Sequence, residues 1–342
     1  MSYTFAEALE AVLGGETLPL HRARRAMGEV LGGGPTPGQA GAFVGALAMR
    51  GPTGDEIVGF SQAVRELGVK AQVSRSPLLE TCGTCAYGAG AAGAFNISTT
   101  VAFIAAGAGA AVAKQVSRST GRRCGSADVL EALGVPVELA PERAARCVEE
   151  AGVGFFLSSR YHPAMETVRS LRRELGVHTV FELMEPLANP AGASQQLLGV
   201  YDPALVPLLA RALQALGSES ALVVSSRDGL DELSLGAPAV VARLRAGRIE
   251  EYELDASALG FKPACNAALA GGDAAANARI LLGILKGERG PAFDVALLNA
   301  AAALMAAERA ADFKEGLALA AESVDSCRAF QALEAVRRLG AA

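Results

Sequence analysis

Apolar residues recur at helical spacing through residues 1–73. Phe5, Leu9, Val12 and Leu13 share one face, as do Phe43 with Leu47, and Ile57 with Phe60, Val64 and Leu67. Gly32-Gly33-Gly34-Pro35-Thr36-Pro37 predicts a loop in which Thr36 caps the next helix and Pro37 enters its first turn. Thr53 ahead of Asp55 and Glu56 repeats the device. From Ser74 the texture changes. Short apolar runs at residues 78–82, 111–114, 135–139, 153–157 and 221–225 alternate with helical stretches. That alternation predicts parallel strands joined by crossover helices. Residues from about 163 to 190 break the alternation, read as mostly helical, and are expected to pack back onto the N-terminal helices. Residues 248–254 read as a strand charged enough for a sheet edge, and a helix-rich tail begins near Asn277. The expected fold is therefore α/β. A small helical domain (1–73, joined by helices from about 163–190) accompanies a larger α/β domain (74–342) with a central, mostly parallel sheet.

Length agrees with this division, since 342 residues are long for one domain and short for three. Hydrophobic residues make up 51% of the chain but aromatics only 5%, with no Trp, so the core must be built from Ala, Leu and Val at close quarters. The net charge of −5, from 31 basic and 36 acidic residues, leaves no basic excess for a nucleic-acid backbone, and no nucleic-acid partner is expected. The longest apolar run, residues 101–113, is shorter than the roughly 20 residues of a bilayer span and reads as a buried helix, so no membrane association is expected. The first residues show neither a basic start nor a long apolar stretch, which leads to the expectation of a cytoplasmic protein. Six scattered cysteines fit reduced thiols. Cys82-Gly83-Thr84-Cys85 lacks the two further ligands that zinc would need and reads as a tight turn.

Three segments carry candidate chemistry. Gly83-Thr84-Cys85-Ala86-Tyr87-Gly88-Ala89-Gly90-Ala91-Ala92-Gly93 follows a predicted strand, and Asn96-Ile97-Ser98-Thr99 opens the next helix. Small residues let backbone N–H groups converge on a phosphate, and a helix start adds favourable potential, although a plain turn and N-cap fit the same residues. A second loop, from Lys114 through Arg118 to Arg122 and Arg123, gathers cations among hydroxyls and suits a polyanion such as a diphosphate. The third is Asp228-Gly229-Leu230-Asp231-Glu232 after a strand, a carboxylate cluster of the kind that holds Mg²⁺, or a polar turn. Taken alone, His162 reads as structural and Arg172 as a surface charge; His21 and His178 also read as structural.

In this order the pieces resemble the anthranilate phosphoribosyltransferase family, which shares its fold with pyrimidine nucleoside phosphorylases. The likeness runs through Met49-Arg50-Gly51, Gly125-Ser126-Ala127-Asp128-Val129-Leu130-Glu131-Ala132-Leu133-Gly134, Tyr161-His162-Pro163-Ala164-Met165, Pro186-Leu187-Ala188-Asn189-Pro190 and Leu298-Asn299-Ala300-Ala301. The resemblance implies a homodimeric enzyme that moves a phosphoribosyl group from phosphoribosyl pyrophosphate to anthranilate in tryptophan biosynthesis. It implies donor binding by Gly83, Thr84, Gly88, Gly90, Asn96, Ile97, Ser98, Thr99, Lys114, Arg118, Arg122 and Ser126, with Lys114 and Arg118 as electrostatic support. Mg²⁺ would lie at Ser98, Asp231 and Glu232, and the acceptor, an aromatic amine acid, at Ser117, His162 and Arg172. The chain departs from the family pattern at several places. Cys85 and Ala86 stand for glycines, Gln115, Val116 and Ser117 for a His-Gly-Asn run, and Glu182 and Glu185 for an Asn and a Gly. A transferase or phosphorylase of the same fold with another acceptor, and a non-catalytic ligand-binding paralogue, are the alternative readings.

Overall fold

Threonine caps open three of the first four helices of this computed structural model, which describes residues 4–84, 93–119 and 124–341. The helices are α1 (Phe5–Leu13), α2 (Leu20–Leu31), α3 (Pro37–Arg50) and α4 (Gly54–Leu67), with Thr4, Thr36 and Thr53 each in a reciprocal capping box. The Glu56 carboxylate closes the last of these boxes and does more. It accepts the Leu18 N–H at 2.9 Å and the Arg50 guanidinium at 2.6 Å while fully buried. One paired charge thus ties α4 to α3 and to the chain entering α2.

The α/β part runs β1 (Leu79–Gly83), α5 (Ile97–Gly107), β2 (Val112–Val116), α6 (Ser126–Ala132), α7 (Pro141–Ala151) and β3 (Val153–Leu157). Short helices α8 (Ser158–Tyr161), α9 (Pro163–Thr167), α10 (Arg169–Leu175) and α11 (Val180–Met184) follow. The sheet resumes with β4 (Gln195–Gly199), α12 (Val206–Ala215), β5 (Ser220–Ser226), β6 (Ala239–Arg245) and β7 (Arg248–Leu254). Helices α13 (Ala274–Leu285), α14 (Pro291–Ala306), α15 (Phe313–Asp325) and α16 (Arg328–Ala341) complete the chain.

The sheet order is β3-β2-β1-β4-β5-β6-β7; the first five strands are parallel and the last two antiparallel, with β7 at the edge. This is the expected mostly parallel α/β sheet. Winding outward from β1 in one direction and from β4 in the other creates a crevice at the C-terminal ends of these two strands, the place where sheets of this type gather ligands. Alanine lets α14 sink between its neighbours: Ala300, Ala301, Ala302 and Ala303 are wholly buried in a core shared with Val101, Phe103 and Leu298.

The helices between β3 and β4 join the N-terminal core. Met165, Val168, Phe181 and Met184 pack in one cluster with Phe5, Phe43 and Phe60. The chain therefore crosses between the helical and sheet parts three times, near residues 68–78, 158–162 and 185–194. The crossings bind one another: the Val69 N–H donates to the Tyr161 carbonyl at 2.7 Å, and the Ala71 N–H to the Pro190 carbonyl at 3.0 Å.

Four local expectations need correction. Residues 135–139 form no strand; Val135, Val137 and Leu139 are buried in alternation, but Pro136 lacks an N–H and the segment runs into α7 without a ladder partner. Strands β4 and β6 were not expected. The apolar run 101–113 is not one helix, because α5 stops at Gly107 and β2 begins at Val112. Cys82 and Gly83 lie in β1, not in a tight turn, while Cys85 lies outside the described residues.

Candidate functional site

Gly83 and Gly199 face each other in register at the C-terminal ends of β1 and β4. The turn after β5 folds directly over them. A Cβ on Gly83 would lie 2.5 Å from Asp231 Oδ2, and one on Gly199 would lie 1.6 Å from the Asp231 carbonyl oxygen. At Gly199 only glycine lets the Asp231 backbone reach the crevice, whereas a side chain at Gly83 would turn the Asp231 carboxylate away from it. Several groups fix that segment: the Ser226 hydroxyl donates to the Glu232 carbonyl at 2.7 Å, and Asn299, wholly buried, makes two 2.9 Å bonds with the Leu233 backbone. Asp228 shapes the turn by accepting the Ser234 hydroxyl at 2.6 Å.

Glu232 is buried beside Asp231. Burial first, and then the neighbouring Asp231 carboxylate, push its carboxyl well above the usual carboxylate range; Lys114 and the Ser98 N–H offset only part of this. The Lys114 ammonium, also buried, donates to the Thr81 carbonyl and lies 3.3 Å from Ser98 Oγ. The Thr81 hydroxyl donates to the Ser98 carbonyl at 3.1 Å. Residues from four elements thus converge: Thr81 and Gly83 of β1, Ser98 of α5, Lys114 of β2 and the Asp231-Glu232 turn.

The other expected donor residues divide. Thr84 continues from β1, its N–H bonded to the Gly199 carbonyl at 2.9 Å and its hydroxyl accepting the Tyr201 N–H at 3.2 Å. Asn96 is the N-cap of α5 and accepts the Asn277 amide at 2.9 Å. Ile97 and Thr99 are buried, and Thr99 Oγ1 has no hydrogen-bond partner. Ser126, at the start of α6, holds the second loop closed by accepting the Ser117 N–H at 3.1 Å, while the exposed Ser117 gives its carbonyl to the Ala127 N–H. Arg118 is already engaged: two hydrogen bonds to Glu131, at 2.7 and 2.9 Å, and one to Glu138, at 2.7 Å, raise its pKa above the ordinary value. Gly88, Gly90 and Arg122 lie outside the described residues.

His162 and Arg172 belong to one network on the helical side. His162 Nε2 lies 3.2 Å from Gln115 Oε1, which links it to the end of β2. Arg172 is held by Glu182 at 2.9 and 3.2 Å and by Glu185 at 3.0 Å, and Glu185 also accepts the Ser158 hydroxyl at 2.5 Å. Burial alone would raise the Glu185 carboxyl; Arg172, the Ser158 hydroxyl and His162 outweigh it and hold the group below its ordinary value. Arg172, expected to meet an acceptor carboxylate, therefore already meets two carboxylates of its own chain. Among the described residues no group of three or more His, Cys, Asp or Glu side chains is placed to hold a metal, so a cation here would draw on substrate or water oxygens as well.

Glu80 was missed in the sequence. It sits buried in β1 and accepts the Thr81 N–H at 2.9 Å, the Gln115 N–H at 2.8 Å and the Asn189 amide at 2.5 Å. Burial pushes its carboxyl up to about 7 against the offsetting pull of Lys114 and these donors. The signal was available: a lone carboxylate inside an apolar strand run. Cys82 next to it donates nothing to the chemistry, since burial raises its thiol far from ionisation and Gln196 Nε2 lies 3.0 Å from its sulfur.

Comparison with known proteins places this geometry in context. The helical bundle domain of a glycosyl transferase family matches residues 6–68, and the a/b domain of a glycosyl transferase family matches residues 75–330. An anthranilate phosphoribosyltransferase of Roseiflexus castenholzii is 49% identical over 94% of this chain and 94% of its own. The crystal structure of the Thermus thermophilus anthranilate phosphoribosyltransferase superposes with a TM-score of 0.92 at 40% identity, covering 98% of this chain and 99% of that one. The Saccharomyces cerevisiae protein in complex with PRPP and Mg shares the fold, with a TM-score of 0.88 at 23% identity over 98% of each chain.

Proposed function

Because the chain belongs to the anthranilate phosphoribosyltransferase family, we propose that the crevice between β1 and β4 is the donor site of its reaction. The protein transfers the 5-phosphoribosyl group from phosphoribosyl pyrophosphate to the amine of anthranilate and releases pyrophosphate, a step of tryptophan biosynthesis. A C–N bond forms at the anomeric carbon as the C–O bond to pyrophosphate breaks, and the amine gives up a proton. Positive charge develops on the sugar and negative charge on the leaving group, so the protein's work is positioning and charge stabilisation, with no covalent nucleophile.

The convergence of Lys114, Ser98, Asp231 and Glu232 over Gly83 carries the site assignment. Lys114 faces the developing pyrophosphate charge; Thr84, Asn96, Ile97, Ser98 and Thr99 form the wall of the donor site. Gly88, Gly90 and Arg122 are assigned to the same donor by the family resemblance alone. Ser126 and Arg118 act by holding the second loop in shape. A buried carboxylate beside a second one lacks positive charge, and the oxygens of Asp231, Glu232 and Ser98 are the hard donors that Mg²⁺ takes. When bound, Mg²⁺ would supply neutralisation of the leaving pyrophosphate. The acceptor lies between the two parts, against Ser117, His162 and Gln115, with Arg172 acting through its pair of glutamates.

The reading extends to the division of the chain at residue 73, with 163–190 in the helical part, and to a homodimer in the cytoplasm. Exposed Leu13, Met49 and Leu67 on the N-terminal helices supply an apolar surface for a partner copy. Free thiols at Cys82, Cys124, Cys147, Cys265 and Cys327 suit a reducing compartment.

The test follows the loss of anthranilate fluorescence with phosphoribosyl pyrophosphate and Mg²⁺. Asp231→Asn with Glu232→Gln should lower the rate on the order of a hundredfold or more, the usual scale for losing one charge-stabilising element. An unchanged rate in the double variant, still Mg²⁺-dependent, would remove these two carboxylates from the site.

A further inference from the structure

Asn277, in the opening turn of α13, is 3% exposed and carries an amide whose two ends are both engaged. Its Oδ1 accepts the Gly272 N–H at 2.7 Å, and its Nδ2 donates to Asn96 Oδ1 at 2.9 Å. The first bond fixes the second. A backbone N–H can only donate, so the end of Asn277 beside Gly272 must be oxygen, the end beside Asn96 must be nitrogen, and Asn96 must answer with its own oxygen. The Cys124 thiol, with Sγ 3.7 Å from the same Asn96 Oδ1, agrees with that assignment. Asn96 Nδ2 is thereby the end turned away from Asn277.

Asn96 stands at the N-cap of α5, yet its side chain makes no capping bond. An asparagine there ordinarily gives its oxygen to the N–H groups of the helix it opens, whereas here the oxygen is drawn to Asn277. The chain on both sides of the pair is braced. Residues 269–272 run beside 93–95: the Phe95 N–H donates to the Leu269 carbonyl at 3.0 Å, the Gly271 N–H to the Gly93 carbonyl at 2.6 Å, and Ala94 bridges Ala270 in antiparallel fashion. A Cβ on Gly271 would stand 2.5 Å from Asn277 Oδ1 and 2.9 Å from the Phe95 Cα, so a side chain there would push the two segments apart.

Taking the β1–β4 crevice as the donor site with Asn96 in its wall, we propose that Asn277 is a positioning residue for the phosphoribosyl donor: it sets the Asn96 amide so that its N–H groups, and not its oxygen, meet the donor's phosphate oxygens. Ionised phosphate oxygens accept and never donate. An amide nitrogen beside them gains a charge-assisted hydrogen bond, whereas an amide oxygen forfeits that bond and brings lone pair against lone pair. An asparagine side chain left to itself turns either end forward. The relay from the Gly272 N–H through Asn277 selects one end before the donor arrives, so the ordering is not charged against binding.

Isothermal titration of the whole protein with phosphoribosyl pyrophosphate and Mg²⁺, without acceptor, tests it through a double-mutant cycle. Asn277→Asp keeps the size of the side chain and the acceptor for Gly272 but has nothing to donate, so Asn96 turns its nitrogen inward. Kd should rise about ten- to hundredfold, the scale of one hydrogen bond to a charged group. In an Asn96→Ala background the same substitution should change Kd less than about twofold, because the group it acts through is gone. Asn277→Ala, which frees the Asn96 amide to turn either way, should give a smaller rise that also disappears in that background; it completes the cycle if the buried carboxylate of Asn277→Asp prevents folding. KM for anthranilate should change little in either variant. Equal rises in both backgrounds would make Asn277 a general prop of the loop and overturn the proposal, as would an unchanged Kd in folded Asn277→Asp when Asn96→Ala weakens the donor. An Asn96→Ala protein that binds the donor as tightly as the wild type would instead remove Asn96 from the donor site, and the proposal with it.

Discussion

Replacing Glu80 by Gln removes the one titrating group at the centre of the β1–β2–Asn189 junction and should flatten a specific part of the stability profile. The Glu80 carboxyl is raised from its ordinary 4.5 to about 7. A carboxyl whose folded pKa is raised binds its proton more tightly in the folded state. Its contribution is therefore fully present below the unfolded value and is lost as pH climbs from 4.5 through about 7. Each tenfold difference in proton affinity between the folded and unfolded chain is worth about 1.4 kcal/mol, so linkage predicts that wild-type stability falls by about 1.3 kcal/mol relative to Glu80→Gln between about pH 6 and pH 8. The amide keeps the size and one acceptor of the carboxyl, so Thr81 or Gln115 loses at most one bond and the variant should fold. Urea unfolding of both proteins at a series of pH values reads the difference directly, and titrations common to both cancel. A difference that stays level across that range would refute the reasoning, for it would mean that Lys114 and the three donors keep Glu80 ionised throughout.

Other outcomes follow from the same structure. Glu185→Gln removes one of the two negative charges around Arg172 and should lower KM for anthranilate several-fold with kcat little changed; a raised KM in steady-state assays would show that Glu185 helps to form the acceptor site. Glu56→Ala strips the Arg50 guanidinium and the Leu18 N–H of a buried partner and should cost about 3 to 5 kcal/mol in urea unfolding, whereas a loss below about 1 kcal/mol would mean that water replaces the carboxylate.

The helical part was largely readable because its signals are local. Thr36 with Pro37 and Thr53 with Glu56 are capping devices complete within four residues, and both are formed. The strands were readable where an apolar run marks them, as in β3 and the centre of β5, or where alternation survives among charges, as in β7, whereas β4 and β6 were passed over. Strand β4 begins with two glutamines that are buried, because Gln196 finds the Pro186 carbonyl at 2.9 Å from a segment ten residues away, and no single-strand pattern announces such a partner. Residues 135–139 failed in the other direction: a short apolar run suggested a strand that Pro136 and the absence of a neighbour deny. In the site, residue types pointed to Lys114, Ser98, Asp231 and Glu232, but which cations are spoken for was invisible. Arg118 is paired with glutamates 13 and 20 positions later, and Arg172 with glutamates 10 and 13 positions later. Pairing of that kind is decided by how loops and short helices close, and spacing along the chain does not report it.

The triple passage of the chain between helices and sheet also limits how such a protein can be rebuilt. A part attached by one linker can be duplicated, swapped or grafted with a single splice. Here the helical cluster draws Phe43 and Phe60 from one stretch of gene and Phe181 and Met184 from another more than 100 codons downstream. A crossover that replaces only the first stretch would leave half of that cluster facing strangers. Viable hybrids must exchange both stretches together or match their packing in advance, so recombination within the reading frame should favour break points outside residues 5–188, or the exchange of that whole block.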